Sequence, residues 1–384
     1  VDVPASAIGP ANPQEREKWR ERFEGSATLS ELIDSDRRRK QGDEYDKIGA
    51  VRALVDPSVT AALPRVVIEG APGQGKSTVT QFLCQLHRML LLKKSSEICR
   101  IPSGLKPSEV RLPLRVDLRD YATWLSGRSP FQDVNTESTI NGYAPALESF
   151  LAAQISMQSG GLQFSPDDLL AFASNSALLI VLDGFDEVAD IATRNRLVRE
   201  ISDASTRFEG NSISSQFIVT SRPAAFANSP GFPRDDWQYI QILPLTKSVI
   251  STYAEKWMSG HNMDARDRRE ITTVLEEKLE YPHVRELARN PMQLAILLAL
   301  ISTQGASLPD KRTTLYDRYT DIFFNRESEK SRVVRDKREL LIDMHRYLAW
   351  TLQVEAESDA KAGNISEQRL RQVLRTYLSQ LGHD

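Results

Sequence analysis

Residues Gly70-Ala71-Pro72-Gly73-Gln74-Gly75-Lys76-Ser77 read G-x-x-x-x-G-K-S without a departure, a spacing suited to cradling a polyphosphate. The charges of a triphosphate must leave water without losing their hydrogen bonds. Glycines let successive backbone N–H groups turn inward as an anion nest, and the following helix brings the positive end of its dipole. In such a loop Lys76 reaches the β- and γ-phosphates, the Ser77 hydroxyl holds Mg²⁺, and Thr78 adds a hydroxyl near the α-phosphate. A chance glycine-rich turn is the bland alternative. It is disfavoured because the match lies between an apolar strand pattern and an amphipathic helix pattern.

A second group of chemical residues follows an apolar run, at Asp183-Gly184-Phe185-Asp186-Glu187. A carboxylate at the C-terminal end of a buried strand is where a phosphate-loop fold needs its partner for Mg²⁺. Asp183 is the candidate, acting on the ion directly or through a coordinated water. Glu187, with Asp186 next in line, could orient an attacking water. Thr220-Ser221-Arg222-Pro223 ends a further apolar run. That ending places Arg222 at the same edge as a sensor of the γ-phosphate.

Positioning these groups requires an α/β layer. Arg65–Glu69 reads as the first strand, and the helix after the loop carries Val79, Phe82, Leu83, Leu86 and Leu90 at helical spacing. The second strand, Arg111–Arg119, alternates Leu112, Leu114, Val116 and Leu118 with polar residues, and Pro113 argues for a sheet edge. Ala177–Leu182 is apolar on both faces and central. Gln216–Thr220 and Tyr239–Leu243 complete five strands. Beyond Thr246, which can cap a helix bearing Ile250, Tyr253 and Trp257, only helices are expected. Asn290-Pro291 opens an apolar helix, Leu340, Leu341, Met344, Leu348 and Leu352 stripe another, and Ser366 opens the last.

The 384 residues exceed one core. The expected divisions are a polar tail or helical linker at 1–47, a nucleotide-binding domain at 48–245, a helical domain at 246–330, and a further helical region at 331–384. A net charge of −3 favours neither nucleic acid nor an anionic membrane. The one basic cluster, Arg37-Arg38-Arg39-Lys40, is flanked by Asp34, Asp36, Asp43, Glu44 and Asp46 and reads as solvated linker. Two cysteines give no disulfide framework and fit a reducing, cytoplasmic setting. No apolar run approaches a membrane span. The histidines lack metal spacing, and the five tryptophans read as packing residues. A start at Val1 fits a piece of a longer protein.

Taken together, these motifs resemble the NACHT ATPases of the STAND class, which include NOD-like receptors and bacterial antiviral proteins. The resemblance rests on Gly70 to Thr78, Leu-Asp-Gly-Phe-Asp-Glu-Val at 182–188 and Thr-Ser-Arg-Pro at 220–223. It extends to Leu-Ala-Arg-Asn-Pro at 287–291 and to Leu308-Pro309 with Leu315-Tyr316. It implies a P-loop NTPase fold with a five-stranded parallel sheet in the order 5-1-4-3-2, an all-α helical domain, and a partial winged-helix domain from about residue 331. It implies Pro291 over the adenine of ATP or ADP, slow hydrolysis of Mg-ATP or Mg-dATP, and self-association on activation in innate immune or antiphage defence. Effector and sensor domains would lie outside this chain. The chain departs from the family in one respect: none of His87, His261, His283, His345 or His383 has the context of the winged-helix histidine that touches the β-phosphate.

The competing expectation is an AAA+-like or helicase-like motor acting on protein or nucleic acid. No arginine-finger region of AAA+ type and no aromatic–basic face supports it. GTP-driven signalling lacks an N-K-x-D segment to read guanine. A small-molecule kinase shares the phosphate loop and stays open on sequence grounds.

Overall fold

The apolar runs of the first 250 residues build one mixed sheet. The computed structural model describes residues 2–9, 19–20, 27–38, 48–131, 144–188, 190–226, 231–305, 312–359 and 367–382. Phe23, Arg39-Lys40, Asp43, Glu44, Asp46, Leu308-Pro309, Ser366 and His383 lie outside these residues. The strands are β1 (Ala5–Ile8), β2 (Arg65–Glu69), β3 (Leu112–Asp117), β4 (Ala177–Asp183), β5 (Ser214–Ser221) and β6 (Gln238–Ile242), in the order β1-β6-β2-β5-β4-β3. β2 to β6 run parallel, and β1 pairs antiparallel with β6.

The five expected strands are β2 to β6, and their order is 5-1-4-3-2, with β3 and its Pro113 at an edge. The strand count is corrected to six, and the sheet is not wholly parallel. The additional strand, Ala5-Ser6-Ala7-Ile8, comes from the segment expected to be a tail. Its small residues carry no alternation, so their burial depends on partners distant in sequence. Ala5 and Ala7 are buried, and Ala5 N donates to Ile48 O at 2.9 Å. Asp2 accepts from Val51 N and Arg52 N, both at 2.8 Å, which tethers the chain start to helix Ala50–Val55. Helix α1 (Ala27–Arg38) buries Leu29, Leu32 and Ile33.

Parallel strands covered on both faces are apolar throughout. Leu178 to Leu182 of β4 are fully buried, with Val66 to Ile68 of β2 and Phe217 to Val219 of β5. Helix α2 (Lys76–Leu91) packs through Val79, Leu83 and Leu86. Phe82, expected in that stripe, is 38% exposed, and Thr80 and His87 are buried instead. β3 is shorter than the expected 111–119, because Asp117 accepts from Arg119 N at 2.9 Å and starts helix α3 (Leu118–Leu125). The layer also contains α4 (Leu147–Gln158), helix Pro166–Ala173 and α5 (Ile191–Asn211). Thr246 caps the next, α6 (Lys247–Gly260), as expected.

The chain divides into two compact units, Val1–Arg268 with Val284–Ala295, and Arg269–His283 with Ile296–Asp384. All six strands lie in the first unit. The described residues of the second are helical, including Arg312–Lys330, Arg338–Asp359 and Glu367–Gln380. Within it Tyr347 and Tyr377 stack at 4.4 Å between ring centroids, Phe324 meets His345 edge-on, and Arg338 pairs with Asp321. Trp350, read from sequence as a packing residue, is 68% exposed. Among the described residues no helix is long and apolar enough to cross a membrane.

His87 supplies a test of this packing. Its Nδ1 accepts from Arg111 N at 3.1 Å, and burial lowers its pKa from 6.5 to about 4. The unfolded chain therefore binds a proton that the folded protein refuses. The stability contributed by the neutral ring is complete above pH 6.5 and is lost as pH falls toward 4, about 3 kcal/mol in all. Urea unfolding across that window should show a steeper loss for the parent than for His87→Gln, and matching slopes would refute a neutral buried imidazole.

Candidate functional site

The parallel sheet brings the C-terminal ends of β2, β4, β5 and β3 together, and the expected residues gather there. After Glu69 the chain turns through Gly70–Gly75 into α2. Gly73 and Gly75 have φ of 76° and 95°, a region costly for residues with a Cβ. The loop is also internally crowded. A Cβ on Gly70 would stand 2.9 Å from Gln74 Oε1, which accepts from Ala71 N at 2.7 Å.

Lys76 Nζ donates to Gly70 O at 2.7 Å and Ala71 O at 3.3 Å, arching back over the loop's first turn. Burial lowers its pKa, opposed by the charges of Asp186, Asp183 and Glu187. Ser77 Oγ donates to Asp183 Oδ1 at 3.0 Å, so the loop and the end of β4 meet directly. Thr220 on β5 donates its hydroxyl to the same oxygen and accepts from Gly184 N at 2.9 Å. The Asp183 carboxylate is 8% exposed and is completed by Arg115 Nη2 on Oδ2 at 2.7 Å. Thr78 follows Ser77 and is exposed.

The other two carboxylates have arginine partners as well. Arg222 Nε pairs with Asp186 Oδ2 at 2.8 Å, joining the ends of β5 and β4. Arg119 Nε pairs with Glu187 Oε2 at 3.0 Å while its Nη2 holds Asp117 at 2.9 Å. Arg194 of α5 donates to the carbonyls of Val188 and Asp186 and so fixes the acidic turn from behind. Asp186 is nearly buried, whereas Glu187 is half exposed.

Pro291 also belongs to this place. Asn290 Oδ1 accepts from Met292 N at 3.1 Å and Gln293 N at 3.3 Å, capping helix Pro291–Gln304. Its Nδ2 donates to Pro72 O at 3.0 Å, and Met292 N donates to Gly73 O at 3.2 Å. The 290–292 turn is thus bonded to the glycine-rich loop. Val3 approaches from another side, 3.8 Å from where a Cβ on Gly75 would stand.

All the expected residues are therefore adjacent to one another or to the loop. Arg115 and Arg119 carried no expected role, Thr220 entered only as part of the 220–223 motif, and Asn290 was expected to cap its helix but not to bond the glycine-rich loop. A signal existed for the arginines, since Arg115, Asp117 and Arg119 share the polar face of the alternating segment. Alternation alone reads such a face as solvated.

The oxygen donors Ser77 and Asp183 suit a hard divalent cation. The glycine cradle and Lys76 suit a polyphosphate. Asn290 allows the loop-to-helix contact to be tested by itself. Asn290→Ala should lose both the cap and the bond to Pro72, lowering stability by about 1–2 kcal/mol. Asn290→Asp keeps the cap acceptor and should lie nearer the parent in urea unfolding; equal losses for the two would show that the cap contributes nothing.

No family model matches the chain, and no curated protein matches it. Among solved structures it is similar to a chain described as "Structure of Drosophila ORC bound to DNA", with 11% identity, 83% of this chain and 76% of that chain covered, and a TM-score of 0.27. A likeness at that score bears on neither fold nor function.

Proposed function

We propose that this chain is a P-loop ATPase switch of the STAND class, binding ATP or ADP with Mg²⁺ and turning over slowly. The observation that carries the reading is the Ser77–Asp183 hydrogen bond at 3.0 Å between a glycine-rich loop and the end of β4. It joins the two motifs that a polyphosphate–metal site needs, although they lie 106 residues apart. The NACHT-like motif set and the 5-1-4-3-2 order of β2 to β6 support the class. In this reading Gly70 to Thr78 cradle the phosphates, Ser77 and Asp183 hold the cation, and Pro291 borders the base. Bound there, Mg²⁺ would supply charge neutralisation on the phosphate oxygens.

The chain's own residues divide the remaining work. Lys76 would exchange its loop carbonyls for phosphate oxygens, a charge-assisted bond in place of a neutral acceptor. Glu187 is the more exposed carboxylate and is suited to orient water; Asp186 is held by Arg222 and is suited to relay whether the γ-phosphate is present. Pairing through Arg222 ties that sensor to β5, so a change at the phosphate would be felt across two strands. Self-association and control of an effector outside this chain complete the switch, in immune or antiphage defence in a cytoplasmic setting.

Calorimetry with ADP and ATP in magnesium tests the binding, and Lys76→Ala should abolish it; ATP bound tightly by that variant would defeat the reading. Glu187→Gln should bind ATP but hydrolyse it about 10²–10⁴-fold more slowly, the factor a positioned base supplies. Unchanged turnover in that variant, with loss in Asp186→Asn, would move the role to Asp186. Turnover raised strongly by added DNA would replace the switch with a motor.

A further inference from the structure

We infer that Arg115 is a positioning residue that competes with the divalent cation for Asp183, so that cation binding requires its guanidinium to leave. The inference rests on the nucleotide–Mg²⁺ reading of the site and adds a residue that sets how readily the metal enters.

The two oxygens of Asp183 are used differently. Oδ1 takes the hydroxyls of Ser77 and Thr220, and Oδ2 takes Arg115 at 2.7 Å. A nearly buried carboxylate needs a counter-charge, and Arg115 supplies it. A dication brought to the Ser77–Asp183 pair would supply more charge at the same group and would repel the guanidinium. The two cations are therefore alternatives for one carboxylate.

Arg115 is built to move without disturbing the sheet. Its side chain is 42% exposed, while its backbone is held by β3 pairing and by Gln154 Nε2 donating to its carbonyl at 3.0 Å. It also lines a cavity of about 640 Å³, together with Thr78, Gln81, Gln85, Gln154 and Gln158. The glutamine amide oxygens and the solvent reaching this half-exposed side chain would offer acceptors to a displaced guanidinium. Arg119 and Arg222 lack this freedom with respect to Asp183, because each is engaged with a different carboxylate. A purely structural ion pair would differ in one respect: its removal would weaken the fold without changing cation affinity.

Mn²⁺ serves as the probe, titrated by electron paramagnetic resonance into the whole chain saturated with ADP. Arg115→Gln should bind Mn²⁺ about fivefold more tightly than the parent, with Arg115→Lys between them. ADP affinity measured in chelator should stay within about twofold. Thermal melting gives an independent readout. Arg115→Gln should melt below the parent in chelator and regain the parent's value with ADP and magnesium. Equal or weaker Mn²⁺ binding by Arg115→Gln, or a melting deficit that persists with magnesium, overturns the inference. If Arg115→Gln does not fold, Arg115→Lys decides alone, and Mn²⁺ affinity no higher than the parent's overturns it. A parent that shows no saturable Mn²⁺ binding with ADP overturns the functional reading instead.

Discussion

One buried carboxylate organises the functional end of this sheet. Asp183 closes an entirely apolar strand, and an unpaired charge there would cost several kcal/mol. Its partners are drawn from three other elements: Ser77 at the start of α2, Thr220 on β5 and Arg115 on β3. Satisfying that single group fixes the phosphate-type loop against β4, sets the height of β5 relative to β4, and pulls the edge strand's arginine inward. The loop glycines, the acidic turn and the arginine at 222 then occupy places that this arrangement has already defined.

The strand order explains why such distant segments can meet. In a parallel sheet every strand delivers its loop to the same end, and β2 lies between β5 and β6, with β4 and β3 beyond β5. The loops after β2, β5 and β4 are consequently neighbours, while the connecting helices lie on the faces. β1 and the 290–292 turn add to this end from outside the parallel core. The first does so by antiparallel pairing with β6 and the second by hydrogen bonds to Pro72 and Gly73. Neither addition alters the order of the five strands.

Much of this was legible because local pattern and tertiary role coincide. The loop motif, the apolar runs of β4 and β5, Pro113 at an edge and the caps at Thr246 and Asn290 all announce themselves within a few residues. What was hidden depends on partners far along the chain. Ala5–Ile8 has neither length nor alternation, and its burial comes from β6 and from Ile48 to Gly49. Phe82 sits at core spacing on α2 but lines the cavity beside Pro113, Leu114 and Arg115 of β3 and stays partly exposed there. Arg115 on β3 and Arg119 in the first turn of α3 fall on the polar positions of an alternating segment, and alternation cannot distinguish water from three carboxylates. Their role follows from register, since Asp117 lies opposite Asp183.

Charge arithmetic at this end of the sheet gives the arrangement its physical sense. Lys76, Arg115, Arg119 and Arg222 stand against Asp117, Asp183, Asp186 and Glu187, so the cluster balances by itself. A balanced cluster of this kind can be stable as it stands, and each arginine, being about half exposed, can leave its carboxylate where another cation takes its place. Exchange of partners is then far less costly than breaking a pair outright. A ligand carrying several negative charges, accompanied by a dication, would offer the arginines and the carboxylates new partners at once, with little change in total charge. Because Arg115 and Asp117 lie on β3, Arg119 at the start of α3, Arg222 just after β5, and Asp183, Asp186 and Glu187 at the end of β4 and in the turn beyond it, an exchange of that kind would be expressed as altered coupling between strands. Three strands meeting in one set of interchangeable ion pairs is the physical basis on which a switch could operate here.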